Sequence, residues 1–129
     1  MSASILVVDD EPDAADLFRQ SFRREVRQGT YVLDFALSAA QALDRLARQI
    51  EQPLVVILSD ISMPGMDGLA LLREIKTRRP ELPVMIVTMY GDDQHRRLAA
   101  ANGAAELLTK PVNFDQLKAR LRQLLAAAV

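Results

Sequence analysis

The sequence predicts an α/β protein built on a parallel β-sheet with helices on both faces. Short apolar runs of strand length alternate with amphipathic segments of helix length along the 129 residues, and this alternation is typical of βαβ units. The runs Ile5-Leu6-Val7-Val8 and Val55-Val56-Ile57-Leu58 are apolar at every position. Continuous apolar runs are expected of strands covered on both faces, which indicates a parallel sheet.

Five segments have the composition of such strands. We predict strands near residues 5–8, 31–36, 55–59, 84–88 and 106–109. Internal repeats, low-complexity tracts and linkers are absent from the sequence. Residues 1–129 are therefore expected to form one domain with a single core, too short to hold a usual second domain.

Four of the five segments that follow the strands carry an apolar stripe at helical spacing. Pro12 suits a first helical turn, Ser38 and Asn113 are expected N-caps, and Pro80 ends the third helix. The expected core-facing residues are Ala14, Leu17, Phe18 and Phe22 in the first helix, Ala39, Ala42, Leu43, Leu46 and Ile50 in the second, Leu69, Leu72 and Ile75 in the third, and Phe114, Leu117, Leu121, Leu124 and Leu125 in the last.

The fourth helix, predicted over residues 92–102, has the weakest core face. It opens with six polar residues, offers only Leu98 and a few alanines for burial, and ends at Gly103. Apolar burial contributes about 25 cal/mol per Å², so this helix gains little anchoring from it. Two interpretations stay open, a helix that moves and a short solvated helix without further duty.

Composition excludes several classes of function. Without cysteine the chain has no disulfide, thiolate nucleophile or cysteine zinc site, and its single histidine, His95, excludes a multi-histidine metal site. With 16 basic and 17 acidic residues, no general field attracts nucleic acid, so no direct nucleic-acid partner is expected. No apolar stretch approaches the roughly 20 residues of a membrane span, and no leader pattern is visible. We expect a soluble cytoplasmic protein that does not contact a membrane.

Acidic residues follow two of the predicted strands. Asp9 and Asp10 come directly after the first strand, and Asp60 follows the third. The carboxyl ends of parallel strands open into one crevice, where ligands bind. Two unit charges about 4 Å apart repel by roughly 4 kcal/mol at an effective dielectric near 20. Three clustered carboxylates therefore predict a bound divalent metal.

Two further strand ends supply a hydroxyl and an ammonium to the same crevice. Thr88 ends the fourth strand, and Lys110 follows the fifth. Carboxylates, a hydroxyl and a lysine at one sheet edge are the groups that a phosphoryl-transfer site uses.

Four sequence pieces, in order and each at a predicted strand end, resemble the receiver domain of two-component response regulators, the CheY-like superfamily. They are Val7-Val8-Asp9-Asp10-Glu11, Asp60-Ile61-Ser62-Met63-Pro64-Gly65-Met66-Asp67-Gly68, Thr88, and Lys110-Pro111. The resemblance covers nearly the whole chain. With right-handed crossovers it implies a doubly wound, flavodoxin-like (βα)5 fold with strand order 2-1-3-4-5.

The resemblance implies a role for each residue in the crevice. Asp60 is expected to accept a phosphoryl group from a sensor histidine kinase or phosphotransfer protein. Asp9, Asp10, Asp60 and the backbone carbonyl of Ser62 are expected to hold Mg²⁺, with Asp10 the more direct ligand. Thr88 is expected to hydrogen-bond the phosphoryl group. Lys110 is expected to neutralise a phosphoryl oxygen, aimed inward by a cis bond to Pro111.

The same resemblance implies partners and output. A receiver catalyses only its own phosphorylation and dephosphorylation, so it is not an enzyme acting on other substrates. Its output is a protein-binding surface that switches and engages a downstream target or an output domain beyond residue 129. The face of the fourth helix and fifth strand is the expected contact for a homodimer, if one forms.

The chain departs from the family at two positions, and the next position after the first of them, Tyr90, is variable in the family. Met89 replaces the usual small residue after Thr88 and is expected to narrow access to Asp60. Leu107 replaces the Tyr or Phe that many receivers place three residues before the lysine, so Tyr90 is the expected mobile aromatic instead.

Three rival readings remain at this point. A haloacid-dehalogenase-type phosphatase needs an Asp-x-Asp motif after its first strand, and Asp9-Asp10-Glu11 lacks that spacing. A flavodoxin-like cofactor carrier needs a Ser, Thr and Gly-rich first loop to cradle phosphate. A degenerate receiver that acts only as a phosphorylation-independent protein-binding scaffold would not bind Mg²⁺.

Overall fold

The structure is a computed structural model that describes residues 3–48, 54–61, 68–89 and 91–127. Five strands form one parallel sheet in the order β2-β1-β3-β4-β5. The strands are β1 Ala3–Val8, β2 Tyr31–Ala36, β3 Leu54–Asp60, β4 Val84–Thr88 and β5 Glu106–Thr109. The predicted fold class and strand order are confirmed.

Six helices connect or follow the strands. They are α1 Pro12–Ser21, α2 Arg23–Arg27, α3 Ala39–Ala47, α4 Gly68–Arg78, α5 Asp93–Ala101 and α6 Phe114–Ala127. The short α2 was not predicted. Helical bonding runs on through Phe22, whose N–H donates to Phe18 O at 2.9 Å and whose carbonyl accepts from Val26 N at 2.9 Å. The α2 segment is thus a bent continuation of α1, and Gly29 follows it with a φ of 77°.

The sheet is covered on both faces, and alternate residues of each strand face opposite layers. On one face α1 and α6 pack over Ile5, Val7, Leu58 and Val87, with Phe18, Phe22, Leu117 and Leu121 supplied by the two helices. On the other face α3, α4 and α5 pack over Leu6, Val8, Ile57 and Ile86. This two-layer covering explains the continuous apolar runs in the sequence.

Local signals at three helix ends agree with the expected caps. Ser38 Oγ accepts from Gln41 N at 3.1 Å, and Asn113 Oδ1 accepts from Gln116 N at 3.1 Å. Gly103 has a φ of 95° directly after α5, a backbone conformation that glycine adopts without the steric cost of a side chain.

The prediction that Leu17 and Leu98 face the core was wrong. The side chain of Leu17 is 55% exposed and that of Leu98 is 42% exposed, whereas Ala99 is 1% exposed and faces the core in place of Leu98. Both leucines lie at the margin of an apolar stripe, where the helix rotation decides burial. Ile50 lies outside the described residues, and the surroundings of Leu125 are not described.

Strand β2 forms one edge of the sheet. The carbonyls of Thr30 and Ala36 accept hydrogen bonds from the β1 side, so the N–H of Phe35 points away from β1. This outward N–H donates to Asp34 Oδ1 at 2.9 Å. The Asp34 carboxylate also accepts from Arg45 of α3. At the edge of the sheet, the Asp34 side chain therefore accepts a hydrogen bond from one of the backbone N–H groups that point outward, that of Phe35.

The direction of winding reverses between β1 and β3. From β1 the chain moves outward to β2, then returns past β1 to β3 and continues to β4 and β5. Such a reversal leaves a crevice at the carboxyl ends of the two central strands. None of the described helices is long and apolar enough to cross a membrane.

Candidate functional site

The strand ends around the crevice carry the polar residues that the sequence predicted. Asp9 follows β1, Asp60 ends β3, Thr88 ends β4, and Lys110 follows β5. Asp9, Asp60 and Thr88 are buried, with 9%, 8% and 1% of their surface exposed. Polar groups at this depth require hydrogen-bond or ionic partners.

Asp9 is held in place from two directions. Its backbone N–H donates to Ala36 O at 3.0 Å, which extends the β1–β2 ladder by one residue. Its Oδ1 accepts from the N–H of Glu11 at 3.0 Å, and its Oδ2 accepts from Lys110 Nζ at 3.1 Å. The carboxylate therefore has one oxygen fixed by the turn before α1 and one directed at the crevice.

Lys110 bridges the two central strands. Its Nζ lies 3.1 Å from Asp9 Oδ2 and 3.2 Å from Asp60 Oδ2. Partial burial works to lower the pKa of the ammonium, but the hydrogen bonds and charges of the two carboxylates outweigh it and leave the pKa raised. The lysine is thus a cation held between two anions. The Lys110–Pro111 bond is cis, as the resemblance implied.

Asp10 completes a group of three carboxylates. One carboxylate oxygen each from Asp9, Asp10 and Asp60 lies within 4.8 Å of the other two. Oxygen ligands at this spacing suit Mg²⁺, which takes one or two protein carboxylates and keeps several waters. The donor set therefore fits the predicted metal. The remaining predicted ligand, the carbonyl of Ser62, lies outside the described residues.

The backbone end of β3 is closely covered by Gly68. A Cβ built on Gly68 would lie 2.2 Å from Asp60 O and 2.5 Å from Ile61 Cα, and Gly68 N donates to Ile61 O at 2.8 Å. No side chain fits at this distance, so glycine is required at this position. The closing glycine of the predicted motif thus seats the start of α4 against the strand that ends in Asp60.

The ends of β4 and β5 are joined by backbone hydrogen bonding. Thr88 pairs with Thr109 in the sheet register, and Thr88 O accepts from Lys110 N at 2.8 Å. The backbone of the threonine is therefore linked directly to that of the lysine. The sequence did not predict this backbone hydrogen bond, because the two residues are far apart along the chain.

A cavity of about 380 Å³ opens beside Asp60 and Lys110, below α1 and the beginning of α6. Its walls are mainly apolar and include Val7, Leu58, Val87, Phe18, Val112 and Phe114. Apolar walls lower the local dielectric and strengthen ionic contacts at the cavity mouth. The crevice is consequently polar at its rim and apolar beneath.

The two departures from the family, Met89 and Leu107, and the neighbouring Tyr90 have different outcomes. Met89 is 76% exposed, and it is not among the residues that line the cavity beside Asp60. Leu107 is 8% exposed and belongs to the core on the α3, α4 and α5 side. Tyr90 lies outside the described residues.

The contact of Lys110 with Asp9 was missed at the level of sequence. Asp9 was expected to act toward a metal alone, yet the same carboxylate binds the ammonium. Arg96 of α5, which donates to two backbone carbonyls near the site, also escaped notice. Solvent-exposed arginines are common on helices, and no sequence pattern marked this one.

A profile of the response regulator receiver domain family matches residues 5–122. Transcriptional regulatory protein ZraR of Escherichia coli K12 is 36% identical over 122 residues, which are 95% of this chain and 26% of ZraR. Response regulator MprA of Mycobacterium tuberculosis H37Rv is 34% identical over 125 residues, which are 97% of this chain and 51% of MprA. The chain thus spans about a quarter and about half the length of these two curated relatives.

Solved structures with the same fold cover almost the whole chain. The signal receiver domain of an HD domain-containing protein from Pseudomonas fluorescens Pf-5 superposes with a TM-score of 0.86 at 28% identity, covering 98% of this chain and 97% of that one. A response regulator receiver domain protein from Clostridium thermocellum superposes with a TM-score of 0.85 at 28% identity, covering 98% and 96%.

Proposed function

The chain belongs to the response regulator receiver domain family, whose profile covers residues 5–122, and on this premise we propose that it accepts a phosphoryl group on Asp60. The observation that carries the proposal is the meeting of three carboxylates and one ammonium at neighbouring strand ends. The family match disfavours both the dehalogenase-type phosphatase and the flavodoxin-like carrier.

The acceptor chemistry follows from the carboxylate of Asp60. An oxygen of this carboxylate attacks the phosphorus of a phosphohistidine, the new P–O bond forms an acyl phosphate, and the P–N bond to the donor breaks. The electron pair of that bond returns to the imidazole nitrogen. The imidazole leaves neutral because its other ring nitrogen already carries a proton. No group other than the phosphoryl is transferred.

Lys110 and Thr88 are proposed to receive the phosphoryl group. The Lys110 ammonium lies 3.2 Å from Asp60 Oδ2, so a short movement places it against a phosphoryl oxygen on the same carboxylate. Thr88 ends the adjacent strand and offers a hydroxyl from the other side of β3. Together they supply the positive charge and the hydrogen bond that phosphoryl transfer requires.

Mg²⁺ is proposed to be held by Asp9, Asp10 and Asp60, with the Ser62 carbonyl as a further ligand. When bound, the ion supplies charge neutralisation for phosphoryl oxygens. The carboxylates also repel one another without it, and Lys110 offsets only part of that repulsion. The proposal therefore links metal binding both to phosphoryl acceptance and to the stability of the resting protein.

Phosphorylation by a small-molecule donor tests the acceptor assignment. Wild-type protein incubated with phosphoramidate and Mg²⁺ is expected to gain the mass of one phosphoryl group, measured on the intact protein. Asp60→Asn should gain none, while Asp16→Asn, a change at an exposed position on α1, should behave as wild type. Transfer that survives in Asp60→Asn, or proceeds with a chelator present, would falsify the assignment, whereas wild-type protein that gains no phosphoryl group and binds no Mg²⁺ would favour the scaffold reading.

Asp10→Asn tests the metal site separately. Removing one of three clustered negative charges is expected to stabilise the metal-free protein by about 1 kcal/mol, because less like-charge repulsion remains. The same change should weaken Mg²⁺ binding, read as a smaller rise in melting temperature on adding Mg²⁺. A lower melting temperature in chelator, or an unchanged response to Mg²⁺, contradicts a shared metal cluster.

The proposed partners follow from the family. The phosphoryl donor is a sensor histidine kinase or phosphotransfer protein, and the output is a target protein or an output domain. ZraR is a transcriptional regulatory protein, and the chain spans only 26% of its length. The proposed switching surface, which also serves a homodimer, is formed by α5 and β5.

A further inference from the structure

Arg96 of α5 connects two segments near the site: the loop that follows Thr88 and strand β5, which precedes Lys110. Its Nε donates to Gly91 O at 3.0 Å, and its Nη1 donates to Leu107 O at 3.4 Å. Gly91 lies three residues after Thr88, and Leu107 lies three residues before Lys110. One guanidinium thus joins the β4–α5 loop to β5.

The loop also packs closely against β5. A Cβ built on Gly91 would lie 2.1 Å from Thr109 Cγ2. The loop backbone therefore rests directly on the strand that precedes Lys110, and Arg96 holds it from the helix side. The two contacts fix the loop in one position relative to β5.

We propose that Arg96 is a positioning residue that holds the β4–α5 loop against β5 in the phosphoryl-free protein, and that this link must loosen before Thr88 engages a phosphoryl group. The inference rests on the proposed function, because it assigns a resting state to the same acceptor site. Hydrogen bonds present in one state stabilise that state and oppose any other. Arg96 therefore sets how readily the resting state gives way.

The link matters because α5 has little other anchoring. Among the described residues of α5, only Ala99 is buried. The two hydrogen bonds from the Arg96 guanidinium therefore restrain α5 in addition to the small apolar contact of Ala99. Leu107, which stands where many family members carry an aromatic side chain, takes part through its backbone carbonyl. This receiver is thereby given a loop restraint that does not depend on an aromatic ring.

Amide hydrogen exchange without any phosphoryl donor tests the restraint itself. Arg96→Ala is expected to raise exchange over residues 92–102 about fivefold, which corresponds to roughly 1 kcal/mol for one net hydrogen bond. Arg97→Ala is the matched control, because Arg97 is the exposed neighbour on the same helix. Arg96→Lys should fall between, since one ammonium replaces the guanidinium fork. Equal exchange in Arg96→Ala and Arg97→Ala overturns the proposal.

Binding of beryllofluoride with Mg²⁺, measured by calorimetry, tests the link to the acceptor site. Arg96→Ala is expected to bind about fivefold more tightly than wild type, because the resting state is less favoured. A substitution that only loosened the fold would bind more weakly, so unchanged or weaker binding overturns the proposed restraint. If wild-type protein binds no beryllofluoride, the proposed function fails, and the exchange comparison alone decides whether Arg96 holds the loop.

Discussion

Helices α4 and α5 lie on the same face of the sheet but are held there by different means. The α4 helix buries Gly68, Leu71, Leu72 and Ile75, whereas α5 buries only Ala99 among the residues that the structure describes. Apolar burial is non-directional and holds α4 over its whole length. Hydrogen bonds hold α5 at discrete points. One face of the sheet therefore carries a helix with a large buried apolar surface beside one with very little.

The boundary between the two helices is polar. Arg73 Nη1 donates to Asn102 Oδ1 at 3.4 Å, and Gly103 lies over the side chain of Lys76. Lys76 Nζ is bonded to Leu82 O at 2.7 Å and Pro80 O at 3.2 Å. The α4 side of the boundary is therefore also tied to its own following loop.

The largest expected effect is a difference in stability loss when a leucine of α4 or a leucine of α5 is truncated. Leu72→Ala should lower the free energy of unfolding by about 2–5 kcal/mol, because Leu72 is fully buried and leaves a cavity. Leu98→Ala on α5 should cost less than about 1 kcal/mol, since Leu98 is 42% exposed. Urea denaturation measures both. Similar losses would mean that α5 is anchored as firmly as α4.

The strand beneath α5 should behave like the core and unlike the helix above it. Leu107→Ala is expected to lower the free energy of unfolding by about 2–4 kcal/mol, because the side chain is only 8% exposed. In the same denaturation series, Met89→Ala is the exposed control and should change stability little. If Leu107→Ala lowered the free energy of unfolding only slightly, β5 would be as weakly packed as α5.

Gly103→Ala should destabilise the C-terminal end of α5 and moderately lower the free energy of unfolding. Its φ of 95° disfavours alanine, and the new Cβ would lie 3.2 Å from Lys76 Cγ, so a loss of about 1 kcal/mol is expected. Gly29→Ala, at a φ of 77° after α2, is the matched control. Both should lower stability, but only Gly103→Ala should speed amide exchange in α5. Equal amide exchange in α5 of the two variants would show that Gly103 does not help to hold α5 in place.

The smallest effect concerns the N-cap of α5. The pKa of Asp92 is lowered, chiefly by the hydrogen bond from the His95 ring, and Asp92 Oδ1 also accepts from His95 N at 3.4 Å. The carboxylate therefore stabilises the helix above the unfolded pKa of about 3.9, and this contribution is lost as the pH falls through the lower folded value.

Asp92→Asn should accordingly raise exchange over Asp93–Ala101 slightly at pH 7, relative to wild type. The ratio of the two exchange rates should approach one at a pH below the lowered folded-state pKa of Asp92, where both side chains are neutral. NMR exchange at the two pH values measures the ratio. A difference that persists unchanged at the lower pH would show that the charge of Asp92 has no part in it.

The strands and their polar ends could be predicted because both depend on local pattern. Apolar runs of strand length predict the five strands, and because the carboxyl ends of parallel strands share one crevice, the sequence alone places Asp9, Asp60 and Lys110 together. The weak core face of the fourth predicted helix was also visible in composition. These features depend on residue type and order along the chain.

Other features depend on geometry that the pattern does not carry. The bend that creates α2 lies at Phe22, where φ is −102° and ψ is 13°, and Leu17 is 55% exposed at the margin of the apolar stripe of α1. The Lys110–Asp9 pair joins residues 101 positions apart, and Arg96 binds backbone carbonyls that have no sequence signature. Long-range contacts of this kind are set by packing.

The capped edge of β2 has a consequence for association between chains. An edge strand with unpaired N–H groups is a template on which another strand can add, and unchecked addition leads to aggregation. Asp34 occupies the outward N–H of Phe35 and brings a charged pair with Arg45 to the same place. A strand added here would have to displace the carboxylate and bury its charge. The outer edge of the sheet is thus protected against strand addition at this point.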